Sequence, residues 1–439
     1  MTAEIAILNR SALALAADSA VQISVGGKTK VYDTAEKLFE FSRNQPIALM
    51  IYNNVEFVGV PMDVLIRKFR KEREKSPNYA SMKEATDDFL EYMRCFSHEM
   101  FEEEKYLYLV LRDPLKRIWI SANSVIRGLL TQILKGGEPD ETPDGVLINL
   151  LTKQADVEKA RPLPGFLSRV TLARFKKRFA KVIERACRDT FKGMEVTPDI
   201  LDAAYELAFR LMKSKRDSDL VTGLVFGGFA EKDMFPTVRY LEIDGVYFNQ
   251  LKVLSTNEVD IDRKTTRAEV VPFAQKEMVE RFMYGLDTEL EGEIRSFVGK
   301  ALDEVLAATT KESDEDIKKS VKDKVNKRYA KMMKGLKESS RQDLLDIVYF
   351  MSKKELADIA YALVELTSHK RRFSTDEQTV GGPIDVAIIT KSEGLVWIRR
   401  KHYFGPEVNQ SYYSRAFGQL TGGNDDSKKA DGQPEAAGV

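Results

Sequence analysis

The stretch Thr2–Ser19 reads TAEIAILNRSALALAADS and decides how the fold begins. Its apolar runs Ile5–Leu8 and Ala12–Ala17 are separated by the polar residues 9–11. Two short apolar runs around a polar break are typical of two strands joined by a tight turn. A third apolar run at Ile47–Tyr52 predicts another strand, so the chain opens with a group of strands.

Thr2 is the first residue in this stretch that suggests chemistry. A side chain as small as threonine permits removal of Met1, which would expose a free α-amino group on Thr2. Such an amine titrates at about 7.7–8.0, so a usable fraction is unprotonated near neutral pH. It can then act as general base for the hydroxyl group of its own residue. Because many proteins begin with Met-Thr, Thr2 alone does not indicate a nucleophile. The neighbouring residues must support that role.

Asp18 and Lys30 supply that context. Asp18 ends the second predicted strand, 16 positions after Thr2, and Lys30 follows a short connecting loop. The plain structural explanation is that Asp18 caps a turn and Lys30 is a solvated strand residue.

With Thr2, Asp18 and Lys30 at these positions, the run Leu13–Ser19 resembles the start of proteasome β-type subunits and their bacterial ATP-dependent peptidase relatives, the N-terminal-nucleophile (Ntn) hydrolases. The resemblance implies an α+β fold, an Ntn-hydrolase-like αββα four-layer sandwich, here with two large helical insertions. It also implies that Thr2, Asp18 and Lys30 are the catalytic residues. In that arrangement the lysine ammonium group would lower the pKa of the threonine hydroxyl group, and Asp18 would keep the lysine charged and oriented. The segments that carry it are 2–60, then less closely 220–250 and 380–402.

The same resemblance implies supporting groups. A backbone N–H near Asn54 would stabilise the oxyanion, where the family has glycine and this chain has Asn53-Asn54. Asparagine adopts the left-handed conformation more readily than most residues, so the substitution is compatible with that role. The other supporting positions are Ser19, the family acid at either Asp376 or Glu377, and Thr379 or Val380 in place of the family serine.

Strands and helices alternate in blocks along the rest of the chain. Asp244-Gly245 between the runs Val238–Ile243 and Val246–Val253 predicts a hairpin turn. Each strand group is too small for a stable sheet, so we expect the groups to share sheets that the helices cover. The predicted divisions are 1–61 (first part of the sandwich), 62–219 (helical insertion), 220–270 (hairpins), 271–372 (second helical block), 373–418 (closing strands) and 419–439 (disordered tail).

Two helices have unusual charge. A basic helix is predicted from about Pro164 to Thr190. Basic side chains on such a helix more commonly form a solvated rim around a buried apolar stripe than bind nucleic acid. The segment Glu312–Lys337 carries a narrow apolar stripe, which would pack on its own domain or on a partner helix.

Composition excludes several classes of protein. The 439 residues include 68 Lys+Arg and 68 Asp+Glu, so no net positive charge attracts nucleic acid or an anionic membrane. Cys95 and Cys187 cannot build a disulfide framework, which suggests a reducing compartment. The start of the chain lacks the pattern of a signal peptide, and no apolar run reaches the roughly 20 residues of a membrane span. We therefore expect a cytoplasmic protein whose mature N-terminus lies near Met1.

The sequence thus predicts a proteasome-like threonine peptidase or amidohydrolase. We expect a peptide or protein substrate, a homo-oligomer, and room for an ATPase or regulatory partner, but no membrane, nucleic acid, cofactor or metal. Two alternatives stay open. One is a non-catalytic scaffold that binds partners through its helical insertions, and the other is an Ntn amidase for a small molecule.

Overall fold

A computed structural model describes residues 2–25, 28–100, 103–138, 141–309, 315–373, 381–402 and 409–411. The chain divides into a large unit, Met1–Arg399, and a short unit, Arg400–Val439. All of the strands and helices below belong to the large unit.

The fold is mixed α+β. Its strands are β1 (Ala3–Asn9), β2 (Leu13–Ala17), β3 (Val21–Val25), β4 (Lys28–Tyr32), β5 (Leu38–Glu40), β6 (Ile47–Asn53), β7 (Glu56–Phe57), β8 (Val60–Pro61), β9 (Thr222–Gly228), β10 (Thr237–Tyr247), β11 (Gln250–Asp260), β12 (Ala268–Ala274), β13 (Asp385–Thr390) and β14 (Gly394–Arg399). Its helices are α1 (Met62–Glu72), α2 (Met82–Met100), α3 (Glu103–Leu134), α4 (Pro143–Lys159), α5 (Leu172–Thr190), α6 (Pro198–Lys213), α7 (Glu277–Tyr284), α8 (Thr288–Thr309), α9 (Glu315–Phe350) and α10 (Lys353–Arg372).

The first sheet has the strand order β12-β1-β2-β13-β14, and every neighbouring pair is antiparallel. β1 lies inside this sheet, and all of its residues are buried. The predicted tight turn joins β1 to β2, where the side chain of Asn9 accepts hydrogen bonds from the backbone N–H groups of Ser11 and Ala12. β1 is therefore hydrogen-bonded to a neighbouring strand on each side, β12 on one and β2 on the other.

The second sheet has the order β11-β10-β9-β6-β5 and is also antiparallel. Asp244-Gly245 was expected to form its hairpin turn, and that prediction is wrong. These two residues lie inside β10 at a register shift, and the chain turns instead at Phe248 and Asn249, whose φ angles are 50° and 60°. Asp244 is fully buried, so its carboxylate is used inside the protein rather than at an exposed turn.

A core lies between the two sheets. It contains residues such as Leu15 and Phe273 from the first sheet and Met50 and Val225 from the second. The helices α7, α9 and α10 cover the other face of the first sheet, while α1 and α2 cover the other face of the second. The two sheets are thus enclosed by helices on both outer faces.

The helices α3–α6 form a core of their own, built around aromatic residues such as Phe175 and Phe179. This group joins the second sheet through Tyr106 of α3, which donates a hydrogen bond to Asp244. The basic helix α5 begins at Leu172, later than expected, because the Thr171 hydroxyl group accepts a hydrogen bond from Arg174 N–H and caps it there. Its buried residues form one stripe, as predicted.

The charged segment of the second helical block lies in α9, which packs beside α8. Ion pairs join the two helices at Lys322–Asp303 and Lys337–Glu291. The predicted apolar stripe is only partly covered, since Met332 and Leu336 remain exposed while neighbouring Met333 is buried.

Candidate active site

Thr2 lies at the point where the first sheet begins. Its carbonyl oxygen accepts a hydrogen bond from Gln275 N–H, which fixes the backbone of Thr2 beside the end of β12. The residue is 1% exposed, and within the described residues its hydroxyl oxygen has no hydrogen-bond partner. A buried hydroxyl group without a partner is uncommon in structural positions, where such groups are normally satisfied.

Asp18 follows β2 directly and faces the start of β1. Its Oδ1 accepts a hydrogen bond from Ala3 N–H at 3.1 Å, one residue from Thr2. Its Oδ2 accepts from Ala20 N–H at 3.3 Å and from Gly381 N–H at 3.1 Å. The carboxylate is fully buried and held by backbone donors on both oxygens, so its position relative to Thr2 is fixed.

Lys37 is the cation that meets this carboxylate. Its Nζ lies 2.7 Å from Asp18 Oδ1, both side chains are fully buried, and Nζ also donates to the Ala20 carbonyl oxygen at 2.6 Å. The Lys37 carbonyl oxygen accepts from Ile51 N–H of β6 at 2.9 Å. Because an ammonium group has three donors, one N–H remains without a protein acceptor among the described residues.

Lys30, the lysine expected in this role, lies elsewhere. It is exposed on β4, with its Nζ 4.8 Å from the centre of the Tyr32 ring. β3 and β4 form a separate two-stranded sheet, so the chain between β2 and β5 is longer than the expected loop. The structure therefore brings together Thr2, Asp18 and Lys37, and it does not bring Lys30 to them.

The backbone N–H of Asn54 was expected to stabilise an oxyanion, but it is already engaged. It donates to the Val221 carbonyl oxygen at 3.2 Å, and the Asn54 side chain donates to the Leu220 carbonyl oxygen at 3.3 Å. The left-handed conformation occurs one residue earlier, at Asn53, whose φ is 65°. Asn54 thus closes the end of β6 rather than presenting a free donor.

Ser19 is a supporting position that the structure describes. Its hydroxyl group donates to the Pro383 carbonyl oxygen at 2.5 Å, and its N–H donates to the Gly381 carbonyl oxygen at 3.2 Å. Ser19 therefore ties the segment after Asp18 to the segment before β13. The remaining candidates, Asp376, Glu377, Thr379 and Val380, lie outside the described residues.

Glu4 is a site residue that the sequence reasoning missed. It is 2% exposed, and neither of its carboxyl oxygens has a hydrogen-bond partner among the described residues. Burial raises the pKa of the Glu4 carboxyl group well above its ordinary value, Lys37 opposes that rise, and Asp18 adds to it. A glutamate inside a strand of otherwise apolar residues was the available signal.

A second buried ion pair lies outside this site. Lys252 Nζ is 2.9 Å from Asp244 Oδ2, and the Ser218 hydroxyl group donates to Asp244 Oδ1 at 2.5 Å. A cavity of about 300 Å³ borders this pair.

The described residues contain no group of three or more His, Cys, Asp or Glu side chains that would hold a metal ion. Within the described ranges, none of the helices has the length and hydropathy that a bilayer crossing requires.

No known family model matches the chain, and no curated protein is similar to it. Among solved structures, the Gly-1 mutant of Anbu from Hyphomicrobium sp. strain MC1 is 11% identical, and the alignment covers 98% of this chain and 100% of that one. Its TM-score of 0.26 is too low to establish a common fold.

Proposed function

We propose that this chain is a threonine-type Ntn hydrolase that cleaves amide bonds in peptides. The observation that carries the proposal is the buried Asp18–Lys37 ion pair, whose carboxylate also holds the backbone next to Thr2. Burying two charges is costly unless they are paired and hydrogen-bonded. Perturbed or buried charges beside a potential nucleophile are typical of catalytic sites.

The arrangement of sheets and helices supports the same proposal. Two antiparallel sheets share one core, and helices cover both outer faces. This is the order of layers that an αββα sandwich requires, and Thr2 directly precedes β1, an inner strand of the first sheet. We propose that the fold is the Ntn-hydrolase sandwich, with α3–α6 as an additional helical group.

The proposed mechanism begins with removal of Met1. The α-amine of Thr2 takes the proton of its own hydroxyl group while Oγ1 forms a bond to the substrate carbonyl carbon. The ammonium charge of Lys37 favours the negative charge that develops on this oxygen, and Asp18 holds that ammonium group in place. The α-ammonium then returns the proton to the leaving nitrogen as the C–N bond breaks. Water hydrolyses the resulting ester and releases Thr2.

A non-catalytic scaffold is the competing proposal, and the burial of Thr2 favours it. With 1% of its surface exposed, Thr2 does not meet solvent in the described structure. A peptide would have to reach it after Met1 is removed or after nearby segments move. The expected small-molecule amidase, the homo-oligomer and the ATPase or regulatory partner stay predictions.

Intact mass measurement tests the proposal directly. The purified protein is sequenced at its N-terminus and then incubated with a peptide epoxyketone, which needs both the hydroxyl group and the amine of a terminal threonine. We expect a chain that begins at Thr2 and gains one inhibitor mass, and we expect no gain in Thr2→Ala. A processed, folded chain that does not react would contradict the hydrolase and leave the scaffold. Peptide or protein turnover by the reactive chain then separates a peptidase from a small-molecule amidase.

A further inference from the structure

Glu4 breaks the pattern of its own strand. The alternate residues Glu4, Ala6 and Leu8 point towards the space between the two sheets, where Ala6 and Leu8 belong to the apolar core. A carboxyl group buried without a partner costs free energy that an apolar residue would not. Packing alone does not explain a glutamate here, and positions that break local rules are often functional.

The charges around Glu4 come from several elements. Asp18 lies after β2 and Lys37 lies before β5, and both interact electrostatically with Glu4. Tyr52 of β6 faces Glu4 as well, and its hydroxyl group donates to Glu242 of β10. The strand neighbours of Glu4, Ala17 and Phe273, carry no charge, and the ring of Phe273 packs against Tyr52 and Tyr240.

Thr2 and Glu4 share a further property. Thr2 directly precedes β1 and its carbonyl oxygen continues the pairing with the end of β12, so alternation along the extended chain places its side chain on the same face as that of Glu4. The Thr2 hydroxyl oxygen and both Glu4 carboxyl oxygens lack partners among the described residues. Three buried polar atoms without partners thus lie along one face of the chain, beside the Asp18–Lys37 pair.

We propose that Glu4 is a positioning residue, which acts on Thr2 through the Asp18–Lys37 pair and sets the upper pH limit of the reaction. This inference rests on the proposed function of Thr2. With its proton in place, the Glu4 carboxyl group is uncharged, and Asp18 is the carboxylate that balances Lys37.

Ionisation of Glu4 changes this balance. Burial raises the pKa of its carboxyl group, so the proton is lost at a higher pH than in an ordinary glutamate. The second negative charge then opposes the charge that develops on the Thr2 oxygen and on the tetrahedral intermediate, because like charges in a site of low dielectric repel strongly. The reaction therefore slows as the pH rises through the pKa of Glu4.

The test measures the rate of Thr2 labelling by the epoxyketone from about pH 6 to pH 10, a range that spans the ordinary α-amine titration. The proteins are wild type, Glu4→Gln, Glu4→Leu and the control Glu56→Gln, which changes an exposed glutamate. We expect the alkaline fall in rate to move upwards by about half a pH unit or more in Glu4→Gln, which cannot ionise. In Glu4→Leu, which also cannot ionise, we expect the same upward shift of the alkaline fall. The control should match wild type.

Thermal unfolding of each variant shows whether it folds, and if Glu4→Leu does not fold, the profile of Glu4→Gln decides. Profiles of Glu4→Gln that coincide with wild type would overturn this inference while leaving Thr2 as the nucleophile. A processed wild-type chain that is never labelled would instead overturn the proposed function.

Discussion

Asp18 and Lys37 form an ion pair from which solvent is completely excluded, with Nζ 2.7 Å from Oδ1. Asp18 directly follows β2 of the first sheet, while the carbonyl oxygen of Lys37 accepts a hydrogen bond from Ile51 in the second. The pair thus joins the two sheets at the place where Thr2 begins the first. Its removal should affect both the stability of the fold and the proposed nucleophile.

Lys37→Met should be far more damaging than Lys30→Met. Without Lys37, the Asp18 charge is buried and unpaired, a change that costs about 3–5 kcal/mol of unfolding free energy. Lys30 is exposed, so its replacement should stay within about 0.5 kcal/mol. Denaturant unfolding measures the first effect, and epoxyketone labelling should be lost in Lys37→Met alone. Loss of labelling in folded Lys30→Met would restore the role that the sequence suggested for Lys30.

Asp18→Asn tests whether the proposed site needs the negative charge of Asp18 or only a side chain of that size. The amide keeps the size of the carboxylate but turns one oxygen into a donor, which then faces backbone N–H groups or Lys37. Because the Lys37 charge is then buried without its counter-charge, we expect a loss of about 3–5 kcal/mol in unfolding free energy, together with slower labelling. Asp323→Asn, which makes the same change at an exposed position of α9, is the control. Unchanged labelling in Asp18→Asn would mean that the carboxylate charge has no part in activating Thr2.

The sequence predicts part of this site because two of its residues belong to a local pattern. Thr2 and Asp18 lie at the ends of two consecutive strands, and an antiparallel hairpin must bring such ends together. Lys37 was missed because the two-stranded β3–β4 sheet lengthens the path to β5, and no local pattern gives the size of such an excursion. Both Lys30-Val31 and Lys37-Leu38 place a lysine before an aliphatic residue, and only tertiary burial distinguishes them.

The turn at Phe248 and Asn249 is another feature that the local sequence does not predict. Asp-Gly usually marks a hairpin turn, but Asp244 is more stable as the buried partner of Lys252, so the strand continues past it. Tertiary pairing of charges therefore overrides local turn preference at this position.

Glu4 should make stability depend on pH. The folded chain binds the Glu4 proton more tightly than the unfolded chain does, since burial raises the folded pKa. Between the unfolded value of about 4.3 and the raised folded value, the unfolded state has released the proton and the native state has not, so stability falls as the pH rises. Glu4→Gln should remove this contribution and be the more stable protein at neutral pH. Equal pH dependence of the unfolding free energy in the two proteins would show that Glu4 is not held protonated.

Gly223→Ala should disturb Tyr52, the aromatic residue that faces Glu4. A Cβ atom at Gly223 would overlap the Tyr52 ring, which stacks on Phe273 at a centroid distance of 5.6 Å. Overpacking of this kind costs about 1–3 kcal/mol, and displacement of the ring should also slow labelling. The matched control is Gly292→Ala in α8, where the new Cβ meets nothing within 4 Å and the helix should gain about 0.5–1 kcal/mol. Normal labelling in Gly223→Ala would show that Tyr52 does not help to shape the site.

Asp244→Leu breaks the other buried ion pair, Asp244–Lys252, which lies outside the proposed site. Asp244 accepts hydrogen bonds from Tyr106 of α3 and from Ser218, and it pairs with Lys252 of β11, so it attaches the helices α3–α6 to the second sheet. Leaving Lys252 buried without its partner should cost about 3–5 kcal/mol. Since no part of this cluster touches Thr2, Asp18 or Lys37 in the described structure, the folded fraction should label at the wild-type rate. Slower labelling per folded molecule would instead show that the helices α3–α6 influence Thr2. Entry of the substrate past α3 would then be the next hypothesis to test.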